Sequence, residues 1–222
     1  MWAAHPAKGT SFFRPPSADM QLTQRFLLAL FSIYLLAACE RAPTLPKLGP
    51  NDVIVAFGDS LTQGTGASTD TAYPTVLSSM IGHPVINAGV PGETTAEALQ
   101  RLPEVLAEHH PKLVLLCLGG NDMLRKQAAA ATENNLRALI KTIRASGASV
   151  ILIGVPEPKL FGGAPAFYGA IAKDMKLPYE GEIFNDVLKD PSLKSDPIHA
   201  NAAGYRKVAE RLADVLKKSG AL

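Results

Sequence analysis

Four short apolar runs, each bounded by turn residues, constrain the fold of this chain more than any other feature. They occupy residues 53–57, 85–88, 113–118 and 150–153. Runs of this length, rich in β-branched residues, are typical of strands buried on both faces. Because segments of helical periodicity separate them, the pattern predicts βαβ units and a parallel sheet covered by helices.

The helical segments support this interpretation. Apolar residues repeat at helical spacing on one face of 136–143 and again on one face of 205–216. Residues 94–110 also have a helical pattern, which we expect Pro103 to kink or interrupt. Because the connections between parallel strands of one sheet are almost always right-handed, only a few arrangements of the strands are possible. We expect an α/β fold, a three-layer, doubly wound (flavodoxin-like) parallel sheet of about five strands with helices on both faces.

The N-terminal 38 residues resemble a targeting segment. Residues 26–38 form an uncharged run that is short for a membrane span, which needs about 20 residues, but suits a signal-peptide core. It ends in Leu36-Ala37-Ala38-Cys39, which resembles the lipobox of bacterial lipoproteins. We therefore expect a signal peptide over 1–38, with translation starting at Met1 or Met20, and a lipid on Cys39. A plain secretory signal or an uncleaved anchor are the alternatives.

The lipoprotein resemblance also implies a location. The protein would be exported, face the periplasm of a bacterial envelope and contact the membrane through Cys39. Glu40 after the cysteine would favour the outer membrane if the source is Gram-negative. Residues 39–51 contain three prolines and are interpreted as a tether, and residues 52–222 as one folded domain.

Charge and cysteine content narrow the partners. The first 38 residues hold three of the 22 basic and one of the 20 acidic residues, so the remainder carries 19 of each. This balance gives no reason to expect nucleic-acid binding, which needs concentrated positive charge. The second cysteine, Cys117, lies in an apolar run and is predicted to be a buried strand thiol. We expect a monomer.

Polar clusters follow the apolar runs, where a doubly wound sheet binds its ligands. The first run leads into Gly58-Asp59-Ser60-Leu61, the second into Gly89-Val90-Pro91-Gly92, the third into Gly119-Gly120-Asn121-Asp122. A fourth cluster, Asp196-Pro197-Ile198-His199, precedes the last helical segment. These clusters predict a site at one edge of the sheet.

The clusters contain the residues of a serine nucleophile site. A serine hydroxyl needs a base within hydrogen-bond reach, and that base needs an orienting carboxylate. Asp196 and His199 are separated by a proline-constrained turn, so both can lie beside each other and serve Ser60. The N–H groups of Ser60 and Gly92 and the amide of Asn121 are candidate donors to an oxyanion. Asp59 is expected to support its loop through hydrogen bonds.

These blocks resemble those of the SGNH/GDSL hydrolases, in family order from Gly58 to His199. By resemblance, Ser60, Gly92, Asn121 and His199 are the four name-giving residues, Asp196 is the triad acid, and Asp122 closes the asparagine block. Tyr73-Pro74, Arg101-Leu102-Pro103 and Leu124-Arg125 make the chain look closest to the bacterial thioesterase I, lysophospholipase L1 and arylesterase group.

The resemblance implies a function without a cofactor. We expect a serine-dependent ester hydrolase that cleaves small-molecule acyl esters, thioesters or lipids through an acyl-enzyme. Leu160 and Phe161, in a segment after the fourth strand, could line the acyl pocket or make ordinary core contacts. The alternatives are an envelope carbohydrate O-deacetylase and, from another class, a non-catalytic lipid-anchored binding protein.

Metal and phosphate chemistry fit the residues poorly. The carboxylates near Ser60 come with one histidine and no accessible thiolate, so the usual zinc donors are missing, and nothing calls for magnesium. Gly64 and Gly66 are not followed by the Lys-Ser or Lys-Thr of a phosphate-binding loop. We expect no metal.

Overall fold

The computed structural model describes residue 1 and residues 43–158 and 162–222. The chain divides into two units, Met1–Arg41 and Ala42–Leu222, and the fold below is that of the second. The predictions for residues 2–38, for Cys39, and for Leu160 and Phe161 fall outside the described residues. Within the described part, no helix combines the length and apolar character needed to cross a membrane.

Five parallel strands form one sheet in the order β2-β1-β3-β4-β5. They span Ile54–Gly58 (β1), Val85–Gly89 (β2), Leu113–Cys117 (β3), Ser149–Ile153 (β4) and Tyr179–Glu180 (β5). The order reverses on either side of β1, which confirms the predicted doubly wound, flavodoxin-like sheet.

The burial of the strands follows their place in the sheet. Every residue of β1 and β3 is buried, as expected for central strands. The expectation of full burial is wrong for β2, whose residues are half-buried or exposed because it is an edge strand. The fifth strand has two residues, too few to form a recognisable apolar run.

Eight α-helices connect the strands in the described part of the chain. They are Ser60–Gln63 (α1), Tyr73–Ile81 (α2), Thr95–His109 (α3), Gly120–Leu124 (α4), Ala129–Ala145 (α5), Ala166–Asp174 (α6), Ile183–Lys189 (α7) and Ala202–Lys218 (α8). Helices α2 and α7 pack on α8, whereas α3 and α6 pack on α5. The sheet lies between these two groups, and the apolar faces predicted for α5 and α8 are buried against it, apart from half-buried Val215.

The ends of the helices have local causes. Helix α3 begins with a capping box in which Thr94 and Glu97 satisfy each other's backbone N–H groups. Helix α8 begins at Asn201, whose side chain accepts from the N–H of Gly204. Of the two outcomes expected at Pro103, the interruption does not occur, since α3 continues from Thr95 to His109. The ring is exposed and costs the helix one hydrogen bond, while the buried face of α3 holds the segment in place.

The segment interpreted as a tether is partly docked on the domain. The N–H of Leu45 donates to the carbonyl of Ser219 (2.7 Å), and that of Leu48 to the carbonyl of Ala221 (2.8 Å). Leu48 is also buried in the core. From Leu45 onward the segment is therefore fixed to the end of α8, since its backbone and an apolar side chain both have partners there.

Candidate active site

Ser60 is the first residue of α1, immediately after β1. The carboxylate of Asp59 caps this helix by accepting a hydrogen bond from the N–H of Leu61 (3.0 Å). Because β1 is central and fully buried, the strand and the cap together fix where the Ser60 hydroxyl emerges from the sheet. Ser60 itself stays half-buried and lines a cavity at this edge.

Asp196 organises the loop that carries His199. Its Oδ1 accepts from the N–H groups of Ile198 and His199, each at 2.9 Å. Its Oδ2 lies 2.8 Å from Nδ1 of the His199 ring. The loop is closed by a hydrogen bond from the N–H of Ser195 to the carbonyl of His199 (3.0 Å). One carboxylate oxygen thus shapes the loop while the other orients the imidazole.

The imidazole reaches the serine. Nε2 of His199 lies 3.0 Å from Oγ of Ser60, a hydrogen-bond distance. Desolvation acts to raise the pKa of Asp196, but hydrogen bonds from the Ile198 N–H and from His199 outweigh it and hold that pKa below its usual range. The carboxylate is therefore ionised when the imidazole is ready to take a proton.

Besides the Ser60 N–H on α1, the candidate oxyanion donors are Gly92 in the loop after β2 and Asn121 on α4, which follows β3. The amide nitrogen of Asn121 donates to the carbonyl of Glu93 (3.0 Å) and lies 3.4 Å from Oδ2 of Asp59. Gly92 has φ +80° in the loop after β2, and its N–H has no hydrogen-bond acceptor within the described residues. Asn121 lines the cavity with Ser60 and His199, whereas Gly92 lies outside its lining.

Two buried carboxyl groups lie behind these loops. Burial raises the pKa of Asp59 to about 7, the Leu61 N–H opposes that rise, and nearby Glu93 and Asp122 add to it. Asp122 accepts from the N–H (2.9 Å) and the hydroxyl (2.5 Å) of Thr95. Asp122 thereby joins α4 to the first turn of α3.

Sequence reasoning missed three charged residues at the site. Arg101 forms a bidentate ion pair with Glu93, and Arg125 donates to the carbonyl of Gly92 (2.7 Å). One indication of their importance is visible in the sequence: Glu93, Arg101 and Arg125 lie within or beside the blocks that carry the family resemblance. Their partners lie on other elements, however, so the spacing gave no indication of these pairs.

A cavity of about 480 Å³ opens beside Ser60. Besides the site residues, its apolar lining includes Leu124, Val155, Leu188 and Ile198, and Lys189 and Lys194 lie in the same wall. The segment after β4, expected beside the site, contributes residues 156–158 and 162. The cavity can hold an apolar chain next to the serine.

The cysteine of β3 and the possible metal-binding side chains are the remaining chemically reactive groups to consider. Cys117 is buried and unpaired in β3, as predicted for a strand thiol, and burial raises its pKa. In residues 43–158 and 162–222, no group of three His, Cys, Asp or Glu side chains is arranged to hold a metal ion.

Comparisons with known proteins identify the family. The sequence profile of the GDSL-like Lipase/Acylhydrolase family matches residues 56–207. Esterase TesA of Pseudomonas aeruginosa is 32% identical over 196 residues, which cover 82% of this chain and 96% of TesA. Thioesterase 1/protease 1/lysophospholipase L1 of Escherichia coli K12 is 32% identical over 174 residues, 75% of this chain and 84% of that protein. The crystal structure of TesA superposes with a TM-score of 0.68 at 30% identity, covering 76% of this chain and 99% of TesA.

Proposed function

Since this chain belongs to the GDSL-like lipase/acylhydrolase family and is a serine-dependent ester hydrolase, we propose that Ser60, His199 and Asp196 form its catalytic triad. One observation carries the proposal. The Asp196 carboxylate, the His199 ring and the Ser60 hydroxyl lie in a continuous hydrogen-bonded chain, with successive distances of 2.8 and 3.0 Å. This is the arrangement that turns a weak hydroxyl nucleophile into a reactive one.

The reaction proceeds in two acyl-transfer steps. His199 takes the Ser60 proton at Nε2 as Oγ attacks the substrate carbonyl, and then gives that proton to the departing alcohol or thiol. A water molecule, deprotonated by the same nitrogen, then attacks the acyl-enzyme and releases the acid. Asp196 keeps the proton of the neutral ring on Nδ1 and stabilises the charged imidazolium.

The negative oxygen of each tetrahedral intermediate needs donors that are in place beforehand. The N–H groups of Ser60 and Gly92 and the side-chain amide of Asn121 supply them in this proposal. The free N–H of Gly92 and the position of Asn121 in the cavity lining support these assignments. Asp59 and Asp122 support the donors through their contacts with Leu61 and Thr95.

The substrate is an acyl ester or thioester of the thioesterase, lysophospholipase or arylesterase type. The names of relatives, which include an arylesterase of Vibrio mimicus, support this range, and the apolar side of the cavity supports a chain longer than acetyl. An acyl chain could pack on the apolar side chains of Leu124, Leu188 and Ile198, which need no hydrogen bonds from it.

The N-terminal targeting segment determines the cellular location of this activity. We propose that residues 1–38 direct export and that Cys39 carries the lipid, which would face the hydrolase towards a membrane surface in the bacterial envelope. The motif at residues 36–39 and Glu40 support this. Mass spectrometry of the mature N-terminus, with Cys39→Ser as the comparison, tests it; a mature chain that begins elsewhere or carries no lipid would contradict it.

The decisive experiment is hydrolysis of p-nitrophenyl esters from acetyl to palmitoyl by the wild type and by Ser60→Ala. We expect activity on medium or long chains that Ser60→Ala abolishes while its circular dichroism spectrum and melting temperature stay close to those of the wild type. The matched control is Ser79→Ala, because Ser79 is an exposed helix serine whose hydroxyl donates to the Thr75 carbonyl. It should keep full activity.

The other outcomes identify the alternatives. A strong preference for acetyl esters would favour a carbohydrate O-deacetylase. Absence of both ester hydrolysis and labelling of Ser60 by a fluorophosphonate would contradict the triad and favour a binding protein that kept the fold. A folded Ser60→Ala variant with full activity would exclude Ser60 as the nucleophile.

A further inference from the structure

Residues 90–93 form a tight turn whose geometry sets the direction of the Gly92 peptide. The N–H of Glu93 donates to the carbonyl of Val90 (3.2 Å), and the N–H of Val90 donates to the carbonyl of Gly58 at the end of β1 (2.9 Å). Pro91 and Gly92 occupy the two central positions, and Gly92 has φ +80°. Proline followed by a residue with positive φ is the requirement of a type II turn. The free N–H of Gly92 is thus oriented by this turn.

An ion pair between half-buried Arg101 and buried Glu93 fixes the far end of the turn. Nε and Nη2 of Arg101 donate to the two carboxylate oxygens of Glu93 at 2.7 and 2.6 Å. Nη2 also donates to the carbonyl of Ala88 (3.1 Å), and the guanidinium lies 4.3 Å above the ring of Phe57. The Glu93 side chain is only 5% exposed. Because the planar fork of arginine matches a carboxylate bidentately, this pair restricts both position and orientation.

The same residue also holds Asn121. An amide nitrogen has two N–H donors, and one of them binds the backbone carbonyl of Glu93 at 3.0 Å. The other faces Oδ2 of Asp59 at 3.4 Å, which is a weak contact that substrate can replace. Glu93 therefore closes the Gly92 turn with its backbone N–H and holds the Asn121 amide with its backbone carbonyl. One residue thereby places these two of the three candidate oxyanion donors relative to each other.

We propose that Arg101 is a positioning residue that, through Glu93, aligns the Gly92 N–H and the Asn121 amide for the oxyanion. This inference rests on the proposed function. Arg101 does not contact the reacting atoms itself. Because the two donors that it aligns serve the negative charge that develops in the transition state, its substitution should lower kcat and leave KM nearly unchanged. Loss of one oxyanion donor costs about 100- to 1,000-fold in rate, and misalignment of two donors should cost roughly 10- to 100-fold.

The first test compares Arg101→Gln and Arg101→Lys with the wild type on one p-nitrophenyl ester. We expect kcat to fall by roughly 10- to 100-fold in Arg101→Gln with KM within about threefold. Arg101→Lys keeps the buried charge balanced but loses the bidentate geometry, so it should recover part of kcat and fold if the glutamine variant does not. Unchanged kcat in folded variants of both kinds would overturn the proposal.

A double-mutant cycle separates positioning from a general structural role. Residues that act as a unit are non-additive, so Arg101→Gln should cost only a few-fold in kcat once Asn121→Ala has removed one of the donors that Arg101 aligns. A loss of the same factor in both backgrounds would overturn the proposal, because Arg101 would then act independently of Asn121.

The matched control is Arg137→Gln. Arg137 on α5 pairs with Glu133 and Asp174, both at 2.8 Å, and has the same type of charge-assisted contacts away from the site. It should leave kcat unchanged. If both glutamine variants lower kcat in proportion to their loss of melting temperature, Arg101 is only structural. Wild-type activity that depends on Ser60 but not on Arg101 would refute this inference alone, whereas absence of Ser60-dependent activity would refute the proposed function itself.

Discussion

Nε2 of His199 lies 3.0 Å from Oγ of Ser60, although 139 residues separate them in the chain. The serine is placed by the buried strand β1 and its Asp59 cap, and the histidine by a loop that Asp196 folds. Because local structure fixes each of the two residues separately, the distance between Oγ of Ser60 and Nε2 of His199 is set by the backbone at both positions.

Asp196→Asn should abolish nearly all turnover without unfolding the loop. The amide oxygen can still accept from the N–H groups of Ile198 and His199, but the NH₂ would donate to Nδ1 and leave the proton of the ring on Nε2. In that tautomer the ring cannot accept the Ser60 proton, and kcat should fall by about 10⁴-fold. Steady-state kinetics on a p-nitrophenyl ester measures this.

The control for that variant is Asp190→Asn. Asp190 caps the 3-10 turn Pro191–Leu193 by accepting from the N–H and hydroxyl of Ser192, and it has no histidine partner among the described residues. Its substitution should leave kcat within a factor of two or so. Equal losses in the two variants would show that loop structure, and not the tautomer, accounts for the effect.

The stability of the domain should depend on pH through Asp59. Its pKa is raised to about 7 by burial, against 3.8 when unfolded, so the folded state holds a proton that the unfolded state releases between these values. Stability from this group is therefore greatest below pH 4 and falls as pH rises to 7.

Asp59→Asn mimics the protonated acid and removes that dependence. From pH 5 to pH 8 the variant should gain about 3 kcal/mol of stability relative to the wild type. Urea unfolding of both proteins at the two pH values measures the difference. If the difference in unfolding free energy is the same at both pH values, Asp59 does not titrate with a raised pKa.

Gly89→Ala should displace the helix that carries Ser60. A Cβ at Gly89 would collide with the backbone of Gln63 and lie 2.8 Å from the carbonyl of Asp59. Overpacking of this kind costs about 1–3 kcal/mol. We expect a lower melting temperature and a lower kcat, because α1 must move away from β2.

Gly163→Ala is the matched control, since beyond its chain neighbours no atom of the described residues lies within 4 Å of a Cβ at that position. Both its melting temperature and its activity should match the wild type. A Gly89→Ala protein with wild-type melting temperature and kcat would show that α1 can shift without cost.

Leu188→Trp should shorten the acyl chain that the enzyme accepts. Leu188 is half-buried on α7 and lines the cavity, so an indole in its place occupies space meant for substrate. We expect kcat/KM for octanoyl esters to fall by at least roughly tenfold while acetyl esters change by a few-fold.

The control is Val215→Trp on α8, which is half-buried and does not line the cavity. It should leave the chain-length profile unchanged. A parallel decrease for acetyl and octanoyl esters in Leu188→Trp would place the acyl chain elsewhere.

Most of the fold could be predicted because its signals are local. Strands β1, β3 and β4 are continuous apolar runs, and the faces of α5 and α8 follow the 3.6-residue period. The prediction failed where tertiary context decides. The exposure of β2 comes from its position at the edge of the sheet, and β5 is a strand only through its pairing with β4. Helix α3 continues through Pro103 because its buried face is packed.

The sequence by itself determined the kinds of residue at the site and the edge of the sheet where they meet. The turn Asp196-Pro197-Ile198-His199 and the cap at Asp59 need only a few neighbouring residues, so their pattern is visible in the chain. The tertiary structure alone decided the pairing of Arg101 with Glu93, the contact of Arg125 with Gly92, and the walls of the cavity. These contacts join separate elements, and their geometry depends on how the helices pack on the sheet. Local spacing carries no record of that packing.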